Sequence, residues 1–239
     1  AIAAGVRHFV LISTDKAVNP INALGASKRY AEMICQALDQ QQPRTRFVTV
    51  RFGNVLGSAG SVVPLFRQQI EAGGPVTVTD PEVTRYFMTI PEACQLILQA
   101  VSSSSKGAVY TLDMGEAVPI VQLAEQMIRL AGKQPGKDIQ IVYTGLRAGE
   151  KLHETLFYAD ERNTATAHPK VLEANVRAFA QDQVIASVGT LRDAVRSYDL
   201  QAMAHQLSHM IPEYRHAALD AGKTERKVVP FTARESNRK

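Results

Sequence analysis

Thr14, Asp15 and Lys16 place a hydroxyl, a carboxylate and an amine on three successive residues. Such groups can hydrogen-bond a reacting oxygen, deliver a proton and accept one. They follow Phe9 to Ile12, which reads as a strand apolar on both faces and therefore buried, and open parallel sheets bind ligands at the carboxyl ends of such strands. On its own an Asp-Lys pair reads as a helix-capping Asp beside a solvated Lys, so the surrounding pattern must carry the argument. Eight residues further on a helix opens in which Leu24 and Lys28, at i and i+4, point from one face. Tyr30 lies two residues beyond Lys28 and therefore on another face.

The elements that must position these groups follow from periodicity. Residues 1–4 read as a last helical turn with Gly5 as its left-handed stop. Strands are expected over 6–12, 46–52, 75–79, 109–113 and 139–144, and helices over 24–40, 62–72, 91–101, 120–131 and 151–156. The helix over 24–40 is expected to turn Ala31, Ile34, Cys35 and Leu38 inward. Helical periodicity returns over 190–210 without a chemical motif, and Ser102 to Ser105 reads as a loop. The predicted fold is α/β: the C-terminal half of a Rossmann-like, doubly wound parallel sheet with a smaller α/β substrate-binding domain. Residues 1–57 and 87–113 fall to the sheet domain, 58–86 and 114–217 to the smaller one, and 218–239 to a basic, disordered tail.

With 239 residues, 45% of them hydrophobic, the chain can bury a sizeable core. No apolar run is long enough to span a membrane and no secretory signal is visible, which points to a cytoplasmic protein. The net charge of +4 sits in the tail: residues 222–239 hold six basic and two acidic residues, leaving a body with 21 of each. That distribution argues against nucleic acid as a partner. Cys35 and Cys94, in apolar helical stretches, read as buried free thiols. His8, His153 and His168 have no ligand spacing, so no metal is expected. A dinucleotide site needs a glycine-rich turn after its first strand. Gly53, Gly57 and Gly60 follow a later strand without a distal acidic residue and read as backbone features of a substrate loop. The chain is therefore expected to be the carboxyl-terminal portion of a longer enzyme, or a truncated copy.

The run from Ile12 to Glu32 resembles the second half of an extended short-chain dehydrogenase/reductase, and more narrowly the UDP-N-acetylglucosamine 4,6-dehydratases of bacterial polysaccharide biosynthesis. The resemblance continues through Arg51-Phe52-Gly53-Asn54, Ser61 to Phe66, Thr84 to Ala93, Leu112 to Glu116 and Gly145 to Lys151, covering roughly residues 1–170. It implies Thr14 at the C4 oxygen, Asp15 as general acid for the 6-hydroxyl and Lys16 as base at C5, with inversion at that carbon. Lys28 would hold the ribose of NAD or NADP, with Ser13 and Phe52 as further cofactor-side residues. Asn54 would touch the sugar or diphosphate, Val63, Pro64 and Phe66 would pack on uracil, Arg85 and Arg147 would clamp the diphosphate, and Glu150 would accept from the ribose.

Leu24 departs from the pattern, standing where the family usually has Tyr and its larger, membrane-linked members have Met. Ala59 stands where relatives usually have Arg. The resemblance also implies homo-oligomerisation and, for the larger class, membrane association through N-terminal helices that this chain lacks. Two alternatives stand beside the dehydratase: a UDP-sugar 4-epimerase, and a noncatalytic UDP-sugar-binding protein.

Overall fold

A computed structural model describes residues 1–58, 60–102, 107–159, 161–175 and 179–214. In chain order the elements are β1 (His8–Ile12), α1 (Ala23–Gln41), β2 (Arg46–Arg51), β3 (Asn54–Val55), α2 (Val62–Glu71), β4 (Val76–Val78), β5 (Thr84–Arg85), β6 (Phe87–Met88) and α3 (Ile90–Ser102). They continue with β7 (Val109–Leu112), β8 (Val118–Pro119), α4 (Ile120–Leu130), β9 (Ile141–Tyr143), β10 (Arg162–Ala165), β11 (Val171–Asn175), α5 (Gln181–Arg196) and α6 (Leu200–Met210). The main sheet runs β1-β2-β7-β11-β10. Its first three strands are parallel and β11 and β10 are antiparallel additions.

Three apolar clusters hold the chain. One joins β2 and β7 to α3 through Val48, Val50, Leu96 and Tyr110. A second closes the smaller lobe, with α2, β4 and α4 meeting at Phe66, Val78 and Ile128. The third packs α1 against α5 and α6 through Ala26, Tyr30, Val184 and Leu207. The tail and Ala59 lie outside the described residues, as do Ser103 to Ser105; Ser102 ends α3.

Several expectations are corrected. β1 is not buried on both faces: it is an edge strand paired only with β2, and Phe9 and Ile12 are exposed. A strand with one neighbour has less to bury against. Residues 151–156 form no helix, because the Leu152 carbonyl accepts from the Thr84 amide and the Arg85 guanidinium and so serves contacts across the chain. The periodic stretch 190–210 is two helices broken near Tyr198, whose φ is 55°. Two strands not expected from the sequence extend the main sheet, β11 pairing with β7 and β10 with β11. On α1 the buried positions are Arg29, Glu32, Cys35 and Asp39 among others, while Ala31, Ile34 and Leu38 are half-buried. Charged partners make that face acceptable to the interior. Cys35 is buried and Cys94 exposed, both as free thiols; Cys94 lies off the face of α3 that buries Ala93, Leu96 and Ala100.

Candidate active site

The parallel ladder continues past β1, with the Ser13 amide donating to Val50 and the Asp15 amide to Phe52. The Thr14-Asp15-Lys16 triplet is thereby fixed at the carboxyl end of the sheet in a single turn of 3-10 helix, Asp15–Ala17. Asp15 is 0% exposed. Its Oδ1 accepts from the Thr14 hydroxyl at 2.9 Å and from Lys16 Nζ at 3.0 Å, and its Oδ2 has no hydrogen-bond partner among the described residues. Lys16 Nζ also donates to Asn54 Oδ1 at 3.1 Å and lies 3.7 Å from Glu154 Oε1.

Two glycines allow this packing. A Cβ on Gly25 would lie 2.2 Å from the Lys16 carbonyl oxygen, so only glycine lets α1 approach the turn. A Cβ on Gly53 would lie 2.9 Å from Tyr86 Cβ and 3.2 Å from Asp15 Oδ2. The N-cap Asn22 accepts from the Gly25 amide through its side chain and donates to the Gly149 carbonyl, tying α1 to the loop that carries Arg147 and Glu150.

Beneath the turn lies a buried ion network. Ser13 donates to Glu32, which pairs with Arg51 at 2.7 Å and Arg29 at 3.2 Å, and Arg51 continues to Glu161. Burial pushes the Glu32 carboxyl up, but Arg51, then Arg29 and the Ser13 hydroxyl, outweigh it and hold the group below its ordinary value. The Ser13 side chain is thus committed to Glu32, and the Phe52 ring sits in the core while its carbonyl supports Asp15. Lys28 reaches back along α1 to donate to the Ile12 carbonyl at 3.0 Å, which places its amine beside the triplet. Leu24 is 57% exposed and lines an apolar groove between α1, α5 and α6. Tyr30 is turned away, with its hydroxyl bonded to Ser187 and burial raising its pKa.

Beside Asn54 opens a cleft of ≈ 560 Å³, within the size range of small-molecule sites. Phe66, Arg85, Arg147 and Glu150 line it, together with Val62, Leu65 and Thr79, which sequence reasoning missed. Val63 and Pro64 lie outside the lining, since α2 turns positions 62, 65 and 66 to one face; helical spacing was the signal that selects that face. Arg85 is buried and donates to the carbonyls of Thr84 and Leu152 and to Glu150. Glu150 also accepts from the Thr79 hydroxyl and the Arg147 amide. Arg147 is exposed, and its guanidinium makes no ion pair among the described residues. The larger apolar groove holds no converging charges, so the cleft is the better candidate for a charged ligand. Among the described residues no cluster of His, Cys, Asp or Glu is placed to hold a metal, and no helix is long and apolar enough to cross a membrane.

A parallel sheet with a hydroxyl, a carboxylate and an amine at its strand end, and a lysine one helix away, is the arrangement that the resemblance to extended short-chain dehydrogenases/reductases implies, at the strand end where open α/β sheets bind ligands. Residues 1–176 match the family described as polysaccharide biosynthesis protein, and the chain belongs to that family. Over 179 residues, 75% of this chain, it is 54% identical to the capsular polysaccharide biosynthesis protein CapD of Staphylococcus aureus. A UDP-glucose 4-epimerase of Rickettsia akari is 36% identical over 163 residues, 67% of this chain. The chain spans 30% of the first relative's length and 46% of the second's. Among solved structures, a dTDP-glucose 4,6-dehydratase from Bacillus anthracis in complex with NAD superposes with a TM-score of 0.53 at 22% identity, covering 62% of this chain and 52% of that one. That likeness supports the Rossmann-like fold.

Proposed function

We propose that this chain supplies the catalytic and substrate-binding portion of a nucleotide-sugar 4,6-dehydratase acting on UDP-N-acetylglucosamine, with inversion at C5, in polysaccharide biosynthesis. The observation that carries the reading is that Lys16 and Asn54 join the triplet directly to the cleft lined by Arg147 and Glu150. A UDP-sugar in that cleft has its diphosphate near the unpaired Arg147 guanidinium, which suits a forked donor, and its ribose near Glu150. The sugar then extends toward Asn54 and the triplet.

NAD or NADP, when bound, would accept the C4 hydride and return it to C6. Lys28, held beside the strand end, would grip its ribose; the described residues contain no glycine-rich turn after β1, so the pyrophosphate is not assigned to any of them. As the hydride leaves C4, the C4 hydroxyl passes its proton to Thr14, and Thr14 passes its own to Asp15 Oδ1, 2.9 Å away. Lys16 takes the C5 proton, and the C5–H electrons form the C5–C6 double bond as the C6–O bond breaks. Asp15 is buried, so its proton returns through Thr14 to the departing 6-hydroxyl, and water leaves; a proton added to the opposite face of C5 completes the inversion. In this reading the domain works in the cytoplasm.

The 4-epimerase is the second reading, favoured by the match to the Rickettsia protein. Epimerisation has no elimination step and leaves the Asp15-Lys16 pair without a task. The test is product analysis with the full-length protein. A 4-keto-6-deoxy sugar, abolished by Lys16→Ala, is expected; UDP-N-acetylgalactosamine with no keto product would establish the epimerase instead.

A further inference from the structure

Glu154 comes from a different part of the chain than the triplet, 138 residues beyond Lys16, and it meets Lys16 in the interior. It is 7% exposed. One oxygen, Oε1, stands 3.7 Å from Lys16 Nζ; the other, Oε2, lies 3.4 Å from Lys151 Nζ and has no hydrogen bond among the described residues. Lys151 is itself anchored, donating to the Val18 carbonyl at 2.7 Å. The loop bearing Glu154 is pinned at Gly149 by Asn22 and at Leu152 by Thr84 and Arg85. The carboxylate therefore lies between two ammonium groups, Lys16 and Lys151, on a loop anchored just before it.

A lysine side chain has four rotatable carbons, and an amine that removes a proton from carbon must be held at one place. A lysine that has just accepted a proton carries three N–H donors and no acceptor. Around Lys16 Nζ the structure supplies three oxygens: Asp15 Oδ1 at 3.0 Å, Asn54 Oδ1 at 3.1 Å and Glu154 Oε1 at 3.7 Å. Two are already within hydrogen-bond distance. The third stands just outside it, with a carboxylate that has an oxygen to spare.

We propose that Glu154 is a positioning residue for Lys16, a role resting on the reading of Lys16 as the C5 base. It fixes the amine at the mouth of the cleft and receives its third N–H as the C5 proton is transferred. The same loop carries Arg147 and Glu150, so seating the nucleotide in the cleft and orienting the amine are mechanically one event.

The chain itself supports the first test. Brief treatment with an amine-acylating reagent, read by peptide mass spectrometry, should modify Lys16 at least threefold faster in Glu154→Gln than in wild type, with Lys28 unchanged as an internal reference. In the full-length protein with UDP-N-acetylglucosamine the same substitution should lower kcat at least tenfold with KM within twofold, and Glu154→Asp should recover part of the loss. If Glu154→Gln does not fold, as judged by circular dichroism, Glu154→Asp is read in its place and should show a smaller change in the same directions. Unchanged Lys16 acylation or unchanged kcat overturns the proposal. If Lys16→Ala keeps dehydrating the sugar, the base reading itself falls; if it is inactive while Glu154→Gln turns over normally, only the role of Glu154 falls.

Discussion

The charges beneath the triplet and the charges around the cleft are organised in opposite ways. Under the triplet, Glu32 and Arg51 are each 0% exposed, and Arg51 on β2 is matched by two carboxylates from other parts of the chain, Glu32 on α1 and Glu161 before β10. Around the cleft, Arg85 spends its guanidinium on backbone carbonyls and Glu150, while Arg147 keeps its own unspent at the surface. The difference separates two jobs. A sealed network stabilises one arrangement of the strand end, and a partly open one leaves a cation available for an anionic ligand.

The largest effect expected from breaking this contrast is at Glu32. Glu32→Ala leaves Arg51 buried with Glu161 as its remaining carboxylate, strips Ser13 of its acceptor and leaves Arg29 with the longer 3.9 Å contact to Glu213. Removing one member of a buried pair costs about 3–5 kcal/mol, a large share of the roughly 5–15 kcal/mol that holds a domain folded. Urea unfolding should show that loss. Glu150→Ala, at the half-open cleft, should cost about 1–3 kcal/mol, the range for leaving hydrogen-bonding groups unmatched. Equal losses at the two positions would erase the distinction.

The same network predicts an acid dependence. The folded Glu32 carboxyl titrates below its ordinary value, so the unfolded chain binds the proton more readily. Its stabilisation is complete above the ordinary carboxylate pKa of about 4.3 and is lost as pH falls through the folded value, with a slope of at most about 1.4 kcal/mol per pH unit. Unfolding free energies measured from pH 7 down to pH 3 should therefore fall less steeply in Glu32→Gln than in wild type on the acid side. Parallel curves would remove Glu32 from the acid response.

How far the sequence revealed this contrast depended on the range of the contacts. The triplet, the α1 helix, the parallel strands and the α2-β4-α4 lobe all follow from local periodicity and adjacent residues, and the structure forms them within a residue or two. Glu32 and Arg51 pair across 19 residues, and Glu154 meets Lys16 across 138; no local pattern marks either contact. The loop at 151–156 was misread for the same reason. Its apolar spacing suits a helix, but its polar groups are claimed by Thr84, Arg85 and Val18, which periodicity does not see. β10 and β11 were missed because they are short, mixed in polarity and stabilised by pairing, β11 with β7 and β10 with β11.

The two cleft arginines give the smallest and most discriminating comparison. The family resemblance implies a diphosphate role for both, but the geometry treats them differently: Arg85 has three bonds to protein acceptors, whereas among the described residues Arg147 donates its backbone amide to Glu150 and leaves its guanidinium without an ion pair. Arg147→Ala should weaken UDP binding about tenfold, or about 1.4 kcal/mol, and leave the melting temperature unchanged, because the guanidinium makes no ion pair among the described residues. Arg85→Ala should lower both, since it releases the Thr84 and Leu152 carbonyls and with them the loop that presents Arg147. Calorimetric titration with UDP beside thermal melts of each variant separates the two. Loss of affinity without loss of stability at Arg85 would move the clamp to the buried arginine and make Arg147 a bystander.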